Sequence, residues 1–296
     1  MTDPAAAILI TRPVNVAIAG LSILLAAGLV RPFVFSGPVV CAMLAGMLIT
    51  AGANVINDYY DLAIDRINKP GRMLPAGRMS PAGARRYAIF LFACGVIFSI
   101  FASLFGAVIA LITSLLLVAY SRWFKRQPVI GNLTVSLATA LSFIFGALAA
   151  GEGAMALQHT HLPLGSWRPG IFPAVFSFLF HFGREVIKDI EDQAGDHAAG
   201  ARTLPLAFGL RPAQLIASSA FIILAGVVWL PHLTGMYRPP YLWIILAGVY
   251  PAIAFALWQL WQNPDVRRMR LTSRVLKADM LVGLLAIYAG TDGLLP

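Results

Sequence analysis

Long apolar runs broken by short polar stretches dominate this chain. Nine stretches approach or reach the roughly 17 to 25 residues that a membrane-crossing helix needs: about 14–31, 38–57, 87–104, 105–120, 131–150, 170–187, 213–230, 241–261 and 277–295. None alternates apolar and polar positions as barrel strands do, and backbone groups in lipid must be satisfied within their own segment, so the pattern predicts helices throughout. The third and fourth runs are nearly continuous, which puts a tight turn at Phe105-Gly106. The expected architecture is an all-α polytopic membrane protein of nine transmembrane helices.

Composition agrees with the pattern. With 59% apolar residues, 12% charged residues and a mean hydropathy of +0.78, the chain is too apolar for a soluble domain. Charge then orients it. Nine spans put the amino terminus and the connections after even-numbered spans on one side. That side holds 19 of the 22 basic residues, among them Arg12, Arg66, Arg85, Arg122, Lys188 and Arg267; only Arg31, Arg168 and Arg238 lie opposite. Basic residues concentrate on cytoplasmic loops, so the expected setting is the inner (cytoplasmic) membrane, multi-pass, with the even-numbered spans ending in the cytoplasm. Topology thus explains the net charge of +9 without nucleic acid, and a basic face also suits membrane lipids and phosphorylated substrates. Met1 to Ala7 lacks a positive leader region, so the first span reads as a retained helix. Cys41 and Cys94 lie inside apolar runs without paired spacing and read as packing residues.

The second and sixth runs end in acids. Asp58, Asp61 and Asp65 recur at the spacing of Asp189, Asp192 and Asp196, and on a helix such residues share one face. Asn54 extends the first ridge upstream and Glu185 the second. Eight of the thirteen acidic residues fall in or beside these ridges. Carboxylates one turn apart repel, and a divalent metal removes that cost. Asp and Asn oxygens are hard ligands suited to Mg²⁺, which is commonly shared with substrate phosphates. The five histidines (159, 161, 181, 197 and 232) form no cluster with cysteine, so zinc is not indicated. Arg66, Lys69, Arg72 and Arg78 follow the first ridge, and Arg184, Lys188 and Arg202 surround the second. Acids, Mg²⁺ and cations together describe a pyrophosphate site. One ridge alone reads equally as a solvated helix end; two of identical spacing on one side favour metal and diphosphate.

The order of elements suggests two related halves, about 1–127 and 128–296, within a single domain 1–296. Arg12-Pro13-Val14-Asn15 opens the first span and Pro128-Val129-Ile130-Gly131-Asn132 the fifth, and in each half the next span ends in an acidic ridge. The loops at about 58–86 and 185–212 are longer than a helix connection requires and are expected to cap a central cavity from the cytoplasm. Gly151 to Pro169 reads as an external loop, and Gln262 to Lys277 as a basic cytoplasmic loop making headgroup contact.

Asn57-Asp58-x-x-Asp61-x-x-x-Asp65 and Asp189-x-x-Asp192-x-x-x-Asp196, each at the end of an even-numbered span, resemble the two signature motifs of the UbiA superfamily of intramembrane prenyltransferases. The resemblance covers essentially the whole chain. It extends to Asn68-Lys69-Pro70-Gly71-Arg72-Met73-Leu74-Pro75-Ala76-Gly77-Arg78, to Tyr120-Ser121-x-x-x-Lys125-Arg126 with Gly131-Asn132, and to Gly200-Ala201-Arg202-Thr203-Leu204-Pro205. Within the superfamily, Asn57 to Asp61 and Arg184 to Asp192 are most similar to the digeranylgeranylglyceryl phosphate synthases, although Met73 stands where proline is usual there.

This resemblance implies that Asn57, Asp58, Asp61 and Asp65, with Asp189, Asp192 and Asp196, hold Mg²⁺ and a polyprenyl diphosphate donor. It makes Asp58, Asp61, Asp189 and Asp192 the catalytic acids. Ionisation of the donor leaves an allylic cation, which the ring face of Tyr120 shields; an interfacial belt tyrosine is the plainer reading of the same residue. Asn15, Arg66, Lys69, Arg72, Lys125, Lys188, Arg202 and Asn132 are the candidate substrate contacts. Asn15 and Asn132 also suit interhelical hydrogen bonds. The implied acceptor is the hydroxyl of a prenylglycerol phosphate in ether-lipid synthesis, or alternatively an aromatic ring, as in quinone, chlorophyll or haem pathways. A cation transporter or non-enzymatic lipid-binding protein is the reading of another class. It fits less well, because transport favours ionisable residues at mid-membrane depth and these acids collect at one rim.

Overall fold

Among the described residues the apolar runs fold as helices, and polar residues between runs supply caps and turns that separate them. The computed structural model describes residues 4–31, 33–158, 167–262 and 264–291, the side chains of 67–68 and 152–158 excepted, and among them there is no strand. The helices are α1 (Pro4–Ile10), α2 (Pro13–Gly28), α3 (Gly37–Tyr60), α4 (Leu62–Asn68), α5 (Pro81–Ala102), α6 (Leu104–Arg122), α7 (Ile130–Gln158), α8 (Ile171–Glu191), α9 (Gln193–Ala198), α10 (Leu204–Phe208), α11 (Leu210–Val227), α12 (Leu230–Leu233), α13 (Pro239–Ile244), α14 (Tyr250–Trp261) and α15 (Val266–Gly290). A π-helical turn, Ile245–Val249, joins α13 to α14. It lies next to Pro251, which has no N–H for the carbonyl one turn back.

Among the described residues, seven stretches are long and apolar enough to cross a membrane, with an eighth if α1 and α2, bent by 53°, are counted together as one broken span. The ninth expected span falls in α15. Its first half carries Arg267, Arg268, Arg270, Arg274 and Lys277, and Asp279 follows just past its middle, which keeps it below the apolarity of the others.

Three local expectations are corrected. The turn between α5 and α6 lies at Ser103, not at Phe105-Gly106: Ser103 is extended, and its Oγ accepts from the Gly106 amide at 2.9 Å to cap α6. Gly106 instead sits under the Phe145 ring, where a Cβ would come to 2.5 Å. The glycine marks a close approach, which a turn signal resembles in sequence. The stretch expected as an external loop from Gly151 begins as helix, since α7 runs to Gln158; residues 159–166 lie outside the described residues, with His159 and His161 among them. Most of the basic stretch from Gln262 to Lys277 is likewise helical. Asp265 starts α15 by accepting from the Arg268 amide at 2.7 Å.

Two compact units divide the chain: Met1–Phe124 with Leu141–Ile171, and Lys125–Ala140 with Phe172–Pro296. In the first, α3 is the centre, packed along α5 and also against α2 and α6. Small residues permit the approach, as in other membrane helix interfaces: Gly95 faces Ile49, and Gly146 faces the Ile23 carbonyl with no room for a methyl group. At the acidic end of α3 the core is Ile10, Val55, Ile56, Leu74, Met79, Ala84, Ala88 and Leu91. Half-buried Cys41 packs beside Ile23 and Phe145, and both cysteines are free. In the second unit, Gly183 of α8 lies beneath the Phe221 ring of α11. Gln214 of α11 donates to the Leu260 carbonyl of α14 at 2.7 Å, and Gly290 of α15 receives Tyr241 of α13.

Candidate active site

The acidic ridges do not lie on single straight helices. In both, the chain kinks at the middle aspartate. Helix α3 ends at Tyr60 and α4 begins at Leu62, leaving Asp61 at φ −88°, ψ −2°; α8 ends at Glu191 and α9 begins at Gln193, leaving Asp192 at φ −93°, ψ 5°. This sparsely populated backbone region recurs at functional sites. The helical hydrogen bonds nevertheless carry through each kink. The Asp61 amide donates to the Asn57 carbonyl at 2.9 Å and the Asp65 amide to the Asp61 carbonyl at 2.8 Å; Asp192 to Lys188 and Asp196 to Asp192 repeat the pattern at 2.9 Å each. The two motifs are therefore the same local structure built twice.

In the first unit Asp58 and Asp65 are buried against arginines. Asp58 accepts from Arg12 at 2.5 Å and from Arg72 at 3.3 Å, and Arg72 reaches Asp65 at 2.5 Å. The Asn57 amide donates to Asp61 at 2.9 Å, and Asn54 donates to the Thr11 carbonyl at 2.8 Å, tying α3 to the chain before α2. Burial pushes the Asp65 carboxyl above its ordinary range, and the Arg72 guanidinium pulls only partly against it. Arg72 is held in place by its own loop. Leu74 and Met79 are buried in the α3/α5 core, half-buried Met73 packs against it, and the Arg78 amide donates to the Met73 carbonyl at 3.0 Å. Gly77, at φ 71°, makes the reversal. Arg66 and Lys69 are exposed beside this cluster.

In the second unit Asp189 accepts from the buried Asn132 amide at 2.8 Å. Glu185 is buried between Arg184 at 3.0 Å and Lys188 at 2.8 Å, so Lys188 serves the neighbouring glutamate rather than an aspartate of the motif. Glu191 pairs with Arg270 of α15 at 3.2 Å. The exposed Arg202 is fixed by its backbone, its amide donating to the Arg126 carbonyl at 2.9 Å. Lys125 and Tyr120 are half-buried, Tyr120 near the end of α6 and Lys125 in the following 3₁₀ turn. Asn15, half-buried, stands in the first turn of α2.

Arg12 is the participant that sequence reasoning missed, because it was read as a topological charge and as the opening of a repeat, never as a partner of the motif. Its signal lies in the repeat. Arg12 (φ 56°) and Val129 (φ 68°) are the two non-glycine residues with positive φ among the described residues. Each precedes a helix and stands three residues before an asparagine, Asn15 or Asn132. A left-handed valine is costly and persists only where its surroundings impose it. In each unit the entry to one helix thus supplies the polar group, Arg12 or Asn132, that holds the first aspartate of the motif.

Among the described residues no three acidic, histidine or cysteine side chains converge as a ready-made metal cage. The donor set is nevertheless all oxygen and mostly anionic. Mg²⁺ characteristically takes one or two carboxylates and completes its shell with water and substrate phosphates, so paired aspartates at a kink fit that ion and do not fit zinc.

A model of the UbiA prenyltransferase family matches residues 15–278, which contain both motifs. The chain belongs to that family. It is similar to the digeranylgeranylglyceryl phosphate synthase of Methanothermobacter thermautotrophicus, 34% identical over 282 residues that cover 95% of this chain and 94% of that one. It is equally similar to the synthase of Methanopyrus kandleri, 34% identical over 280 residues covering 95% and 97%. A solved structure concerned with digeranylgeranylglyceryl phosphate synthase in membranes superposes with a TM-score of 0.74 at 27% identity, covering 97% of each chain. A UbiA homologue from Archaeoglobus fulgidus, solved with DMAPP and Mg²⁺, shares the fold at a TM-score of 0.64 and 19% identity, covering 94% of this chain and 97% of that one.

Proposed function

We propose that this UbiA-family protein transfers a geranylgeranyl-type group from its diphosphate to the free hydroxyl of a prenylglycerol phosphate, in the synthesis of ether membrane lipid. The observation that carries the reading is the pair of identically kinked aspartate motifs, in a chain 34% identical over 95% of its length to a digeranylgeranylglyceryl phosphate synthase. The same reading takes the chain as one functional domain, 1–296, of two pseudo-repeat halves. It takes α15 as a ninth span and the acidic helix ends as cytoplasmic, with their following loops covering the site, as the distribution of basic residues favours.

Asn57, Asp58, Asp61 and Asp65, with Asp189, Asp192 and Asp196, would hold Mg²⁺, which when bound would supply positive charge to the departing diphosphate. Arg72, Arg66, Lys69, Lys125, Lys188 and Arg202 add donors for its oxygens, and Asn15 and Asn132 are further candidate substrate contacts, Asn132 also holding Asp189. The allylic C–O bond breaks, the electron pair leaves with diphosphate, and the Tyr120 ring face stabilises the cation. The acceptor hydroxyl oxygen then forms the new ether bond, its proton passing to water or to the departed diphosphate.

The experiment supplies purified protein with Mg²⁺, geranylgeranyl diphosphate and either geranylgeranylglyceryl phosphate or 4-hydroxybenzoate. Diphosphate release with the glycerol phosphate is expected. Product from the aromatic acid alone would replace the ether-lipid reading with the aromatic one. Asp61→Asn and Asp192→Asn are each expected to abolish turnover while the protein still folds; unchanged activity in both would remove the metal assignment.

A further inference from the structure

Beside the acidic end of α3, on the faces turned away from Asp58 and Asp61, Tyr59 and Tyr60 line an open cleft of about 410 Å³ together with Arg85 of α5 and Arg122 of α6. Residues one and two positions along a helix point roughly 100° and 200° away from the ridge, so this cleft does not share the ridge's face. The two tyrosine rings meet edge to face at 5.1 Å, which fixes their orientation. Arg122 lays its guanidinium on the Trp123 ring, 4.6 Å from the centroid. Among the described residues neither Arg85 nor Arg122 has a carboxylate or hydrogen-bond partner, in contrast to Arg12, Arg72 and Arg184, which are all paired with acids. Two arginines that line one cleft without a carboxylate partner among the described residues, with two tyrosines beside them, offer the donors that phosphate oxygens accept from.

The surroundings say what carries the phosphate. One turn from Arg85, Ile89 and Phe90 are 56% and 61% exposed, and two turns before Arg122, Leu115 is 62% exposed. That apolar wall continues down α5 and α6 through Ile97, Phe101, Val108 and Ile112. Basic heads and interfacial aromatics at helix ends, above an apolar wall, mark the membrane–water boundary.

We infer that the Tyr59/Tyr60/Arg85/Arg122 cleft binds the phosphate of a membrane-resident lipid, whose hydrocarbon chain lies along the exposed wall of α5 and α6. Tyr59 and Tyr60 belong to the first acidic motif, but the cleft opens on helix faces other than the one that carries Asp58 and Asp61.

The test uses the full-length protein in detergent, titrated with dihexanoyl phosphatidic acid and read by Trp123 fluorescence, with Trp123→Phe as the signal control. Saturable quenching is expected. The double variant Arg85→Ala/Arg122→Ala should weaken it by about tenfold or more, as loss of two charge-assisted donors predicts, and Arg85→Lys/Arg122→Lys should retain most of it. Because both arginines are exposed, thermal unfolding of the variants should match the parent. Parent-like affinity in the double Ala variant would overturn the site. Inorganic phosphate quenching as well as the lipid would overturn the lipid assignment, since the apolar wall would then contribute nothing. Binding is read without turnover, so it stands or falls separately from the prenyl-transfer reading.

Discussion

Arg72→Ala tests how the acidic motif is held before substrate arrives. One guanidinium nitrogen lies 2.5 Å from Asp65 and 3.3 Å from Asp58; the two aspartate side chains are 6% and 8% exposed, and that of Arg72 is 26% exposed. Removing one partner of a buried ion pair costs about 3–5 kcal/mol. Two features lower that figure here: Arg12 still pairs with Asp58, and Asp65 can neutralise itself by taking up a proton. We therefore expect a loss of about 2–3 kcal/mol, a fall in melting temperature of about 5–10 °C, measured by thermal unfolding in detergent without divalent metal. The pH dependence has a definite sign. Asp65 already has a folded pKa above its ordinary value of 3.8 through burial, and losing Arg72 raises it further. A raised folded pKa penalises the charged form, so the deficit is greatest where Asp65 is ionised in both states and shrinks as the pH falls toward the ordinary carboxylate range. Mg²⁺ should also stabilise the variant more than the parent, because no guanidinium competes for the same oxygens. An unchanged melting temperature, or a deficit that grows on acidification, would refute this account.

Gly146→Ala places a methyl group against the Ile23 backbone carbonyl, which cannot rotate away as a side chain can. A stability loss of about 3 kcal/mol, at the upper end for overpacking, is expected in denaturant titration; a loss below about 0.5 kcal/mol would mean that α2 and α7 separate freely. Asn132→Ala strips the amide donor from Asp189. It should lower stability by about 1–3 kcal/mol and reduce the rate of diphosphate release, with Asn132→Gln recovering less than half of the loss. Full activity in Asn132→Ala would show that Asp189 needs no positioning.

The spans were legible because lipid forces each apolar run to satisfy its own backbone, which makes run length and composition sufficient evidence. The two motifs were legible because aspartate spacing is local. What escaped were contacts between residues distant in sequence. Arg12 and Asp58 lie 46 positions apart and Asn132 and Asp189 57 apart, and nothing in either segment alone names its partner. Gly106 was misread as a turn because a glycine chosen for close packing against Phe145 looks the same in sequence as one chosen for backbone freedom. That Arg85 and Arg122 have no carboxylate partner among the described residues was equally hidden, since a positive rim looks alike whether or not its charges are met.

The sequence by itself determined a helical membrane protein carrying two copies of an acidic motif, because hydropathy and short-range spacing are properties of contiguous residues. Only the tertiary structure decided that each motif bends at its central aspartate, that Arg12 and Arg72 neutralise Asp58 and Asp65 while Asn132 holds Asp189, and that Arg85 and Arg122 line one cleft with Tyr59 and Tyr60. Those facts depend on which helix faces meet. That choice is made by close packing among glycines and aromatic rings far apart in the chain.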